Sequence, residues 1–269
     1  MRATRADIDL GAIAHNVGVL KGLVAPAAVC AVVKADGYGH GAIAVSRAAL
    51  AAGADWLAVA LVEEGVVLRR SEIDAPVLLL SQPRLDDIAA AVRFDLRVCV
   101  YTPDAVEAVA DAAKRERRLA RVHLKVDTGM NRVGVAPADA VALARRIADH
   151  GSLELEGVFT HCAVADEPGH PFTDTQLDRF DAVVAQLDAE GLRPTLLHAA
   201  NSATAIEHPR GRYDLVRAGI SVYGIPPAPV LADRVDLRPA MTLRSEVSMV
   251  KRVRAGEGIS YGLRHVFDG

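Results

Sequence analysis

Cysteine is scarce and badly placed for structural chemistry. Cys30, Cys99 and Cys162 are odd in number, widely spaced and without a CxxC pair. That pattern excludes a disulfide framework and a zinc site, so no metal is expected, and reduced thiols suit a cytoplasmic protein. Charge of one sign is lacking too. The 31 basic and 34 acidic side chains leave a net charge of -3, with no footprint for nucleic acid and no basic cluster for a membrane surface. No apolar run approaches the roughly 18 residues needed to span a bilayer. The opening "MRATRADIDL" has no apolar core of a signal peptide, so export is not expected. What the chain does have is apolar mass. At 51% hydrophobic over 269 residues, it can bury the core of one large domain or two small ones, and a small-molecule ligand is the default expectation.

Short β-rich runs alternate with longer alanine-rich helical segments. The pattern predicts strands over 28–34, 56–60, 77–81, 97–100, 121–127, 154–160, 195–199 and 214–218, with helices such as 40–52, 61–71, 103–117, 136–150 and 173–190 between them. Several helices open on capping residues, for example Thr102-Pro103-Asp104. Eight β/α units predict an α/β protein built as a (β/α)8 barrel over residues 1–225, with its site at the carboxyl ends of the strands. From Gly224 the composition changes. "IPPAPVLADRVDLRP" holds four prolines and reads as a linker over 226–240. "LRSEVSMVKRV" and "GISYG" then read as strands without helices, the start of a mostly β domain over 241–269. So small a β segment cannot easily bury a core, and the chain is expected to be truncated or to need a partner.

A barrel collects its functional residues just past its strands, and polar side chains do gather there. The first strand leads to Lys34 and Tyr38 in "AVVKADGYGHG". The fifth leads to Lys125 and Arg132, the sixth to His161, the seventh to His198 and Asn201-Ser202, and the eighth carries Arg217 into Gly219-Ile220. A partly buried lysine amine is a nucleophile that can form a Schiff base with an aldehyde, the usual attachment of pyridoxal 5'-phosphate. A lysine at a strand end could equally extend to solvent. Gly37, Gly39 and Gly41 favour the first use, because they let backbone approach a ligand closely. The loops after strands seven and eight are where barrels often bind phosphate; an Asn-Ser pair could also be plain helix capping. Arg217 could reach the ring nitrogen of such a cofactor or form a surface ion pair with Asp214. His161 and Tyr38 are weak signals alone, and Tyr261 reads as packing.

These blocks, with "DIDLGAIAHN", "KVDTGMNRVG", "THCAVADE", "HAANSAT", "VRAGISVYG" and "ISYG", resemble the bacterial alanine racemase family, fold type III enzymes that use pyridoxal 5'-phosphate. The resemblance runs through nearly the whole chain. It implies racemisation by two bases on opposite faces of the cofactor, as inversion through a planar carbanion requires. Lys34 would hold the cofactor and serve D-alanine, and Tyr261 would serve L-alanine. Tyr38, Asn201, Ser202, Gly219 and Ile220 match phosphate-binding positions. Arg217 matches the partner of the pyridine nitrogen, with His161 supporting it, and Arg132 the contact to the phenolic oxygen and the substrate carboxylate. Lys125 matches a lysine carbamylated in many members. The resemblance further implies a head-to-tail homodimer, each tyrosine entering the other subunit's site, and D-alanine supply for peptidoglycan. The family's carboxy-terminal domain extends beyond what this chain holds, so an incomplete site is expected. A serine or broad-specificity racemase, and a non-catalytic pyridoxal-phosphate-binding barrel, are the alternatives.

Overall fold

Strands buried on both faces read as unbroken apolar runs, and Ala28–Val32, sequence AVCAV, is buried along almost its whole length. The computed structural model describes residues 3–268. Contacts divide the chain into a larger unit, Ile8–Met241, and a smaller one made of residues up to Asp7 and from Thr242 onward.

In chain order the strands are β1 Arg5–Ile8, β2 Ala28–Val32, β3 Trp56–Val59, β4 Val77–Leu79, β5 Val98–Val100, β6 Ala120–Lys125, β7 Leu153–Phe159, β8 Leu196–His198 and β9 Leu215–Ala218, followed by β10 Met241–Arg244, β11 Gly258–Ile259 and β12 His265–Val266. Two parallel four-stranded sheets, ordered β4-β3-β2-β9 and β5-β6-β7-β8, form the larger unit. They are joined at both seams. The Leu79 amide donates to Arg97 O at 2.9 Å and the Arg97 amide to Val77 O at 2.8 Å, linking β4 to β5. The Arg217 amide donates to Ala200 O at 3.0 Å, linking β9 to the end of β8. Eight parallel strands therefore close into a barrel, and each expected strand is present with its ends shifted by a residue or two.

The helices are α1 Leu10–Val24, α2 Ala42–Ala51, α3 Val62–Arg70, α4 Ile88–Arg93, α5 Pro103–Glu116, α6 Ala140–Ala148, α7 Phe172–Ala189 and α8 Ser202–Glu207. Only a short 3-10 turn, Ile220–Tyr223, follows β9. The place of a helix there is taken by α1, which packs between α2 and that turn. Asn16 of α1 is fully buried. Its Nδ2 donates to Val222 O at 3.0 Å and Arg238 O at 2.9 Å, and its Oδ1 accepts the Arg238 amide at 2.7 Å. Asn16→Ala strands these backbone groups out of reach of water. We expect it to cost about 3 kcal/mol, read as a lowered urea midpoint with unchanged slope.

Residues 226–240 hold a 3-10 turn, Pro229–Arg234, with Leu231 buried against Cys162 and Ala203. In the smaller unit β1 pairs with β10 and β11 with β12. Arg244 Nε meets Asp7 Oδ2 at 3.1 Å. β1 is absent from the sequence reading, because its partner lies more than 230 residues away and its local composition is polar. No helix of the described residues is long and apolar enough to cross a membrane.

Candidate active site

β2 stops at Val32, not at residue 34 as its composition suggests, because the backbone turns over there. Lys34–Tyr38 is a single left-handed turn, with φ of 51° at Ala35, 50° at Asp36, 62° at Gly37 and 53° at Tyr38. A non-glycine residue in that conformation costs roughly 1–2 kcal/mol. The turn is held from both sides. Asp36 Oδ1 accepts the Ala42 amide at 2.8 Å, and Glu64 Oε1 accepts the Ala35 amide at 2.6 Å. The glycines serve this geometry. Gly39 and Gly41 have positive φ, and a Cβ on either would meet nothing within 4 Å. Lys34 emerges half-buried from the turn, its Nζ 5.9 Å from the Tyr38 ring centroid. Among the described residues its amine has no hydrogen-bond or ion-pair partner.

One cavity of about 480 Å³ opens at the carboxyl ends of the strands. Lys34, Tyr38, Lys125 and Arg132 line it from the first half of the barrel, and His161, Asn201, Ser202, Arg217, Gly219 and Ile220 from the second. Its lining comes from the larger unit alone.

Arg217 lies at the bottom of this set and is 3% exposed. The surface pair with Asp214 does not form; Asp214 Oδ2 accepts the Leu197 amide instead. Arg217 donates to Thr160 O at 2.7 Å, Ala199 O at 3.0 Å, His198 Nδ1 at 2.8 Å and His161 Nδ1 at 3.2 Å. Burial lowers its pKa to about 10, so it remains a cation at neutral pH. Burial, reinforced by Arg217, lowers His161 to about 3 and pushes His198 well below its ordinary value. Both rings are therefore neutral. Since the guanidinium only donates, each Nδ1 must accept, and the His161 proton sits on Nε2.

Burial, with Arg217 and Arg132 nearby, lowers Lys125 to about 8. Its Nζ donates to Leu80 O at 3.2 Å and lies 5.3 Å from the centroid of the Phe159 ring. Across the cavity, Ser202 Oγ accepts the Gly219 amide at 2.9 Å and the Ser221 amide at 3.4 Å, which frees the serine proton to donate outward. Burial raises the Tyr38 pKa, keeping that hydroxyl a donor as well. A Cβ at Gly219 would stand 2.9 Å from the Tyr38 hydroxyl. The missing side chain thus leaves an open cradle between two hydroxyl donors and the backbone of Gly219-Ile220, chemistry suited to a phosphate. Asn201 both caps α8, its Oδ1 accepting the Thr204 amide at 2.9 Å, and lines the cavity. The cavity thus offers a free amine, a buried cation and an anion cradle, the donor set that pyridoxal 5'-phosphate requires.

The profile of the alanine racemase N-terminal domain matches residues 8–227. The chain belongs to the alanine racemase family. It is 50% identical over 262 residues to the alanine racemase of Symbiobacterium thermophilum, covering 97% of this chain and 70% of that protein. The alanine racemase of Streptomyces lavendulae superposes with a TM-score of 0.94 at 40% identity, over 100% of this chain and 72% of that one. A histidine racemase from Leuconostoc mesenteroides shares the fold with a TM-score of 0.89 at 26% identity, over 99% of this chain and 72% of its own. The chain therefore spans about 70% of the length of these proteins.

Tyr261, singled out by the family resemblance, lies in the smaller unit at the start of a 3-10 turn, Tyr261–Leu263, with 99% of its surface exposed. Sequence reasoning missed the buried residues beneath the cavity. His123 is fully buried in β6, its Nδ1 2.9 Å from His198 Nε2. The signal was present: "RVHLK" puts a histidine between Val122 and Leu124 of the strand, two residues before Lys125 and hence on the same face.

Proposed function

We propose that this chain carries the cofactor half of a pyridoxal 5'-phosphate-dependent enzyme that interconverts L-alanine and D-alanine. The observation that supports it most is the meeting of Lys34, Arg217 and the Tyr38, Ser202 and Gly219 cradle in one cavity. When bound, the cofactor withdraws electrons from the substrate's α-carbon and makes its proton removable.

The chain's own residues do the rest. Lys34 Nζ is the attachment point and the base that takes or returns the α-proton of D-alanine. Tyr38, Asn201, Ser202, Gly219 and Ile220 hold the phosphate. Arg217, kept protonated and supported by His161, donates to the ring nitrogen and leaves it without a proton of its own, which restrains electron withdrawal. Arg132 pairs with the substrate carboxylate. Lys125 carries an amine whose pKa near 8 leaves a neutral fraction at neutral pH, the form that takes up CO2 as a carbamate, and the added charge orients Arg132. The Tyr261 hydroxyl serves the opposite face of the substrate from a second copy, in a head-to-tail homodimer. A cytoplasmic supply of D-alanine for peptidoglycan is the biological role that fits.

The test tracks the α-proton of each alanine enantiomer in D2O with pyridoxal 5'-phosphate present. Exchange of both is expected in a form extended to the full length of the family's alanine racemases, of which this chain spans about 70%. Tyr261→Phe slows exchange from L-alanine on the order of 100-fold and from D-alanine much less. Equal losses would overturn the assignment of separate bases, and no binding of the cofactor would overturn the whole reading. The likeness of fold to a histidine racemase motivates a second reading, an enzyme with another or a broader substrate range. Faster turnover of serine or histidine than of alanine would favour it.

A further inference from the structure

Arg217 does not stand alone beneath the cavity; it heads a chain of buried polar groups running to the opposite end of the barrel. His198 receives the Arg217 donation on Nδ1 at 2.8 Å and presents Nε2 to His123 Nδ1 at 2.9 Å. His123 Nε2 lies 3.1 Å from Glu156 Oε2, which also accepts from Arg97 Nε at 3.3 Å. Both rings are 0% exposed, whereas the Glu156 side chain is 12% exposed and marks the solvent end.

The direction of every bond is set by the two ends. Arg217 has donors only, so His198 Nδ1 accepts and its single proton must sit on Nε2. That proton is donated to His123 Nδ1, which therefore accepts, and the His123 proton must also sit on Nε2, where only the Glu156 carboxylate takes it. Both ends are needed: Arg217 sets the direction of the chain, and without the Glu156 acceptor the buried His123 Nε2–H would be left unpaired, which turning the His123 ring or shifting its proton would relieve. Burial holds both histidines below their ordinary pKa, so both stay neutral. Burial opposes the charge on Glu156, but His123, Arg97 and Arg121 outweigh it and keep the carboxylate ionised.

The backbone is shaped for this contact. The β6–β7 register slips so that Val122 faces Leu155 and His123 faces Gly157, leaving Glu156 as the extra residue of a bulge. Bulges re-aim side chains, and this one brings Glu156 to His123. Position 157 must be glycine, since a Cβ there would lie 2.4 Å from His123 Nδ1. Trp56 closes the other side of His123 edge-on, with centroids 5.6 Å apart.

We propose that Glu156 is a positioning residue for Arg217: by accepting the Nε2 proton of His123 it fixes both histidine tautomers, so that His198 anchors the guanidinium as a donor facing the cavity. The consequence for turnover rests on the cofactor reading above; the tautomers do not.

The test is the two-bond 1H–15N spectrum of histidine-labelled protein without added cofactor. His123 and His198 are expected as neutral Nε2–H tautomers from about pH 7 to pH 9. An Nδ1–H tautomer or an imidazolium at either ring would overturn the proposal. Glu156→Gln keeps an acceptor and is expected to keep both tautomers. Glu156→Leu leaves the His123 proton unpaired and is expected to lose the single tautomer there. With cofactor and alanine, Glu156→Leu is expected to lower kcat on the order of tenfold with little change in KM, and Glu156→Gln to restore turnover relative to it. If Glu156→Leu keeps wild-type tautomers and kcat, the proposal fails. If Glu156→Leu does not fold, the wild-type and Glu156→Gln spectra decide. If the cofactor does not bind but the tautomers are as stated, the function reading fails and this one stands; if the cofactor binds through Lys34 and the tautomers differ, this one alone fails.

Discussion

Lys34→Ala is expected to abolish the visible absorbance that pyridoxal 5'-phosphate gains on binding the wild-type chain, and to slow α-proton exchange by about four orders of magnitude or more. No other group in the cavity can replace it. The Lys125 amine is tied to Leu80 O, and Arg132 and Arg217 are guanidiniums. Lys34 has no hydrogen-bond partner among the described residues, and the turn that carries it is held by Asp36 and Glu64. The substitution should therefore leave stability within about 0.5 kcal/mol of wild type, which separates lost chemistry from lost fold. An absorbance that persists in Lys34→Ala would move the attachment to Lys125. A small amine added in solution is expected to recover a fraction of the exchange in the variant.

Acid is expected to unfold the barrel well before its carboxylates alone would require it. His123 and His198 are buried, His161 is half-buried in the cavity wall, and each has its pKa lowered chiefly by desolvation. The unfolded chain binds their protons once the pH falls through the ordinary value of 6.5, and the folded chain binds them only at lower pH. Stability from these rings is therefore complete above that value and is lost as the pH falls from it toward about 3, the pKa of His161. His161, with its pKa lowered to about 3, contributes a slope of up to about 1.4 kcal/mol per pH unit in this window, about 2.7 kcal/mol by about pH 4.5, and His123 and His198 add loss in the same direction. Glu156, with its pKa held down, adds loss in the same direction at the acid end. Urea midpoints measured from about pH 7.5 to pH 4.5 should fall steeply below pH 6.5, and a flat profile to pH 5 would show that the histidines ionise in the folded state.

Much of the fold was legible because it is local. Apolar runs such as VLLLS and alanine-rich helices announce themselves by period, and their alternation dictates the (β/α)8 order. The cavity residues were legible for the same reason: a strand end, once located, also locates the polar side chains just beyond it. What remained hidden depends on distance or phase. β1 pairs with β10 across the chain, and nothing in "RADI" announces it. The left-handed turn is signalled by Gly37 and Gly39 and more weakly by Asp36, but Ala35 adopts the same conformation without any residue preference for it. Glu156 was hidden by the bulge, since strand alternation counted from Phe159 assigns it the wrong face. Tyr261 was legible only through the family; its own surroundings in the smaller unit say nothing of chemistry.

The seat that α1 takes in the barrel wall sets the order in which this protein can be made. A ribosome delivers α1 first, yet the backbone groups that Asn16 clasps lie as much as 222 residues downstream. Throughout that interval the helix has an apolar face and an amide side chain without their final partners, exposed to chaperones and to misassembly with neighbouring chains. The barrel can be sealed only when the Arg238 region has emerged, so its last step joins one of its earliest segments to one of its latest. Such long-range closure makes folding slow relative to proteins of mainly local contacts. Variants that weaken this clasp should be felt in the yield of soluble protein before they are felt in the cavity.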